Sequence, residues 1–60
     1  MVLDNIIGRI KDALEAVGLS PEQIQKVIEA IQDGARDLLV DLLNQFDVPQ
    51  FVIDFILSLL

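Results

Sequence analysis

Apolar residues recur every three or four positions at the start of the chain: Val2, Leu3, Ile6, Ile7, Ile10, Ala13, Leu14 and Val17. That spacing puts them on one helical face and leaves Asp4, Asn5, Arg9, Lys11, Asp12 and Glu15 on the other. It predicts an amphipathic helix over residues 2–17. Gly8 lies inside it and costs about 1 kcal/mol relative to Ala there, so it marks either a close helix approach or a weak point. A second apolar face runs through Ile24, Val27, Ile28, Ile31, Ala35, Leu38, Leu39, Leu42, Leu43 and Phe46 without a change of phase. It predicts one long helix over 21–46, with Gly34 as the place where it would kink or break. A third segment, "VPQFVIDFILSLL", has nine apolar residues in thirteen and predicts a last helix over 48–60. Only Gln50, Asp54 and Ser58 mark a polar strip on it.

The joints carry capping signals. In "VGLSPEQI", Gly18 suits the left-handed position just past a helix end, and Leu19 is placed to touch Leu14. Ser20 is a preferred N-cap, Pro21 at the first helical position gives up no needed N–H, and Gln23 completes a capping box. Leu19 and Ile24 hold the two staple positions. "FDVPQF" reads the same way: Asp47 as N-cap, Pro49 in the first turn, Gln50 in the box position, and Phe46 and Phe51 as the staple. "DG" at 33–34 is poorer. A box there would need Arg36, which has the wrong charge, and no proline follows.

These elements define an all-α chain of three helices. At 1.5 Å per residue the long one spans about 39 Å, and the other two, at about 24 and 18 Å, fit end to end along it. Such a slab has an open apolar side and completes its bundle by self-association. A break at Gly34 instead yields a compact four-helix unit.

Composition sharpens this picture. Sixty residues make one domain, 1–60, and a domain so small buries only about 60% of its unfolded surface. With no Cys and no His, disulfides, thiolate sites and the commonest metal ligand are unavailable, so no cofactor or metal is expected. Apolar residues make up 53% of the chain, and the excess calls for a second copy or a partner. The favoured assembly is a dimer. Its expected central packing set is Leu38, Leu42, Phe46, Phe51, Phe55, Ile56 and Leu59. The alternative is a protein partner whose groove receives residues 48–60.

Net charge is −6. All four cations (Arg9, Lys11, Lys26, Arg36) lie in residues 1–36, and 37–60 hold four Asp and none. That balance argues against nucleic acid and against anionic membrane surfaces. A lipid-associating protein is a minor alternative, set back by the missing Lys and Arg beside the apolar face of 48–60. No apolar run approaches a membrane span and no leader is visible, so a soluble protein compatible with the cytosol is expected.

Candidate chemistry is sparse. Without His, Cys, Tyr or Thr, nucleophilic catalysis has only Ser20, which caps a helix, and Ser58, which has no base near it in sequence. Catalytic residues are therefore not expected. Asp33, Asp37 and Asp41 recur every four residues on one face of a continuous helix, a solvated acidic strip rather than a cage for one ion. An acyl carrier would need a modifiable Ser after Asp at a helix start, which neither Ser provides.

The cassette "GLSPEQI", the second joint at 46–51 and the consistent binary pattern resemble those of de novo designed small helical bundles. The resemblance implies a non-enzymatic structural role, in which the sequence serves to specify a fold or an oligomer. The chain departs from that pattern in having two Lys and many Asp, Asn and Gln in place of Glu–Lys pairs, and a last helix unusually apolar for a monomer.

Overall fold

The computed structural model describes the backbone of residues 2–60 and the side chains of 4–60. The side chains of Val2 and Leu3, counted above on the first apolar face, lie outside the described residues. Four helices follow one another: α1 (Val2–Ala16), α2 (Pro21–Gln32), α3 (Arg36–Gln45) and α4 (Gln50–Leu59). The expectation of three helices with one continuous over 21–46 is corrected here: the chain breaks at Gly34 and takes the compact four-helix alternative. Size alone excludes the slab. The Cα extents are 29 × 22 × 22 Å, whereas an unbroken 26-residue helix would be about 39 Å long. The radius of gyration, 10.1 Å, is close to the roughly 10 Å expected of a compact monomer of this length.

All three joints close with one set of hydrogen bonds, although their sequences differ. Gly18 (φ +92°) donates to the Glu15 carbonyl at 3.1 Å, and Leu19 to that of Leu14 at 3.1 Å. Gly34 (φ +69°) donates to Ile31 at 3.1 Å, and Ala35 to Ala30 at 3.0 Å. Asp47 (φ +58°) donates to Asn44 at 3.1 Å, and Val48 to Leu43 at 3.0 Å. Each is a Schellman motif, in which a left-handed residue ends the helix and the next N–H reaches back five residues. Each also places an apolar residue just after the turn, five positions beyond another apolar residue: Leu19 after Leu14, Ala35 after Ala30, Val48 after Leu43.

The helix starts differ more. At α2, Ser20 Oγ accepts from the Gln23 N–H at 3.3 Å, and Gln23 Oε1 accepts from the Ser20 N–H at 2.9 Å, which is the expected box. At α4 the expected box is absent and that reading is corrected. Asp47 belongs to the end of α3, Pro49 occupies the N-cap position, and Gln50 is the first helical residue, its amide donating to Asp54 Oδ1 at 2.9 Å. Once Asp47 turns left-handed to stop α3, two residues separate it from α4, too far for it to cap that helix. α3 begins after Ala35, with no side-chain cap bond.

α1 packs on α2 and α4, and α2 packs on α3. The core comprises Ile10 and Leu14 of α1, Ile24, Val27, Ala30 and Ile31 of α2, Leu39 and Leu43 of α3, and Val48, Val52, Ile53 and Ile56 around α4. Every helix thus contributes apolar side chains at helical spacing. An alanine Cβ built at Gly8 meets nothing within 4 Å, so of the two readings of that glycine the close approach is excluded.

Candidate interaction surface

Among the described residues no polar or charged side chain is buried, and no buried side-chain nitrogen or oxygen lacks a hydrogen-bond partner. A desolvated acid or base, the usual mark of tuned proton chemistry, is therefore not found among them. The Ser58 hydroxyl donates to the Phe55 carbonyl at 2.7 Å, a bond within its own helix. The break at Gly34 also divides the acidic strip. Asp33 sits at the C-cap of α2, while Asp37 and Asp41 lie on α3, so the three no longer share one helix face. No group of three or more metal-ligating side chains comes together among the described residues.

The feature that calls for an explanation is apolar. Phe51 is 74% exposed and Phe55 42% exposed, one turn apart on the outer side of α4. Together with Val52 they form one wall of a groove of about 510 Å³, and Ala13 and Ala16 of α1, with Val17 just after it, form the other. No charged or polar side chain lines it. Small residues on α1 leave the recess, and the long aromatic side chains of α4 raise its edge. A cleft of about 570 Å³ between α1 and α2 is larger, but Lys11, Glu15 and Gln25 share its lining with Leu19, Ile24 and Ile28. Water already solvates much of that cleft, so the α1–α4 groove is the one whose covering would release the most apolar surface per unit area.

The seven residues expected at the centre of an assembly scatter over the structure. Ile56 is fully buried within the monomer core. Leu42, Phe46 and Leu59 are half-buried against that core. Phe51 and Phe55 line the groove, and Leu38, 51% exposed, stands on α3 away from it. The expected staple between Phe46 and Phe51 is not what holds α4, since Phe51 faces solvent. Sequence reasoning missed the α1 wall. Ala13, Ala16 and Val17 have helical spacing, but nothing in the sequence says that α4 is the helix set beside them.

No family model matches the chain, and no curated protein or solved structure matches it significantly. No helix among the described residues is long and apolar enough to cross a membrane.

Proposed function

We propose that the chain is a non-enzymatic structural module, of the kind represented by designed helical bundles, and that it works by associating with a second copy of itself through the α1–α4 groove. The observation that carries this reading is the exposure of Phe51 and Phe55 beside the Ala13–Ala16 recess. A two-fold interface needs one patch that complements itself. This face holds both parts, a protruding aromatic and a shallow apolar recess to receive it. Burying an aromatic side chain contributes about 1.5–3 kcal/mol, and two copies bury four.

Area sets the strength. The chain exposes 3939 Å², about what a compact monomer of its mass should expose. A standard interface takes about 800 Å² from each partner, about one fifth of that total. The groove and its rim are smaller, so the dimer is a weak one that dissociates on dilution.

Charge separates this reading from its main rival, a different protein docked on α4. Two copies each carry −6 and repel, so screening strengthens their association. A partner complementary to so acidic a chain would be basic, and salt would weaken its binding. Sedimentation across a dilution series, at about 0.01 M and about 0.15 M salt, tests the proposal. The expected result is a monomer–dimer equilibrium that tightens with salt and is lost in Phe51→Glu, whose helicity stays native because the side chain is already exposed. A monomer at every concentration would overturn self-association and leave the groove to another protein.

A further inference from the structure

The joints at Gly18 and Asp47 are each followed by a proline, Pro21 and Pro49. Proline inside a helix removes a backbone hydrogen bond and clashes with the preceding turn, at about 3 kcal/mol or more. Neither α1 and α2 nor α3 and α4 can therefore fuse. The joint at Gly34 has no such barrier. No proline follows it, Ala35 makes no side-chain cap bond, and the apolar positions of α2 continue in phase through Ala35 into α3. Straightening it also costs no backbone hydrogen bonds. The N–H groups of Gly34 and Ala35 now reach the carbonyls of Ile31 and Ala30, and in a continuous helix they would reach carbonyls four residues back.

What straightening does cost is the packing of α3 on α2 and of α4 on α1. A second copy can restore both. We propose that the Gly34 joint is a hinge for segment exchange: α2 and α3 fuse across residues 21–45, and residues 36–60 of each copy pack on α1 and α2 of the other. The fused helix would be about 38 Å long, longer than the 29 Å extent of the closed chain, so an opened protomer cannot refold onto itself without bending again. Away from the hinge, the packing of residues 36–60 on α1 and α2 is kept and only the chain that supplies it changes, which makes exchange a low-cost route to a dimer. This rests on the reading that the chain associates with its own copies, but its hinge lies outside the groove.

The test is Gly34→Ala in the Phe51→Glu background. An added Cβ at position 34 meets nothing within 4 Å, so the change acts through the backbone alone. It penalises the left-handed turn and favours the continuous helix. The dimerisation constant should rise about tenfold or more, although the groove is disabled. Because exchange requires opening, mixed dimers of light and heavy isotope-labelled chains should form over minutes to hours rather than at once. A synthetic chain with D-alanine at 34, which prefers the left-handed turn, should be monomeric at the same concentrations. The proposal is overturned if Gly34→Ala remains a monomer, if it unfolds, since the straight form should have been open to it, or if the D-alanine chain dimerises equally. If groove association fails in the parent chain while Gly34→Ala still dimerises, only the groove reading is lost.

Discussion

The joints at residues 17–23 and 46–51 read alike in sequence and are built differently. Both show an apolar residue, a small polar one, a proline and a glutamine in nearly the same order. In the first, glycine takes the left-handed position and serine the cap, so one residue stops α1 and another starts α2. In the second there is no glycine. Asp47 takes the left-handed position itself at φ +58° and is no longer free to cap α4. A short polar residue can stop one helix or start the next, and when both tasks fall on a single residue the geometry of the stop prevails. The stop is closed by two backbone hydrogen bonds and a buried apolar pair, Leu43 and Val48, and a side-chain cap would supply one bond.

The largest effect expected from this comparison is a shared one. Leu14 and Leu43 are the residues against which the two stops close, and both are fully buried. Leu14→Ala and Leu43→Ala should each destabilise by about 2–5 kcal/mol. A 60-residue domain has only about 3–9 kcal/mol in total, so both variants should lose most of their urea resistance. If Leu43→Ala lost little while Leu14→Ala collapsed, the second stop would not be anchored in the core.

The next effect has opposite signs at the two joints. Ser20→Ala removes a working cap and should destabilise by about 1 kcal/mol. Asp47→Gly relieves a side chain held in the left-handed region and should stabilise by about 0.5–1 kcal/mol, after the added freedom of glycine in the unfolded chain is set against the relief. Were Asp47 an N-cap, Asp47→Gly would instead cost a few tenths of a kcal/mol. Paired thermal and urea melts decide between the two from the sign alone.

The same contrast shows what the sequence made legible. The α1 span, the stop at Gly18 and the Ser20–Gln23 box that starts α2 follow from local chemistry, because periodicity and caps act within a few residues. The start of the last helix is misplaced by the same reasoning, which gives Asp47 the cap of α4 where Pro49 holds it. The break at Gly34 was harder. Its apolar phase is continuous, and the apolar residues at the two ends of its closing backbone bond, Ala30 and Ala35, are too small to stand out among larger neighbours. A common signal was nevertheless there: an apolar residue, then four positions on a Gly or Asp, then at once another apolar residue, at 14/18/19, 30/34/35 and 43/47/48. The groove was legible on one side only. An apolar excess on the last helix is a local property, but which helix lies beside it is set by how four helices close around one core. The expected interface set accordingly mixed groove residues such as Phe51 with a core residue, Ile56.

The smallest effect separates two glutamines assigned the same task. Gln23 accepts from the Ser20 N–H through its side-chain oxygen, joining a residue outside the helix to its first turn. Gln50 donates to Asp54 four residues on, a contact along the exposed surface of α4. Gln50→Ala should therefore cost about 0.2–0.5 kcal/mol, the value of one pair on a helix face, less whatever alanine's higher helix propensity returns. Gln23→Ala should cost more than that, and its effect should largely vanish in a Ser20→Ala background, because half of a reciprocal pair has then already gone. The Gln50→Ala cost should be unchanged by Asp47→Ala, since those two side chains do not meet across the start of α4. A double-mutant cycle on each pair measures this difference, and a coupling between positions 47 and 50 as large as that between 20 and 23 would restore the symmetry that the two sequences suggest.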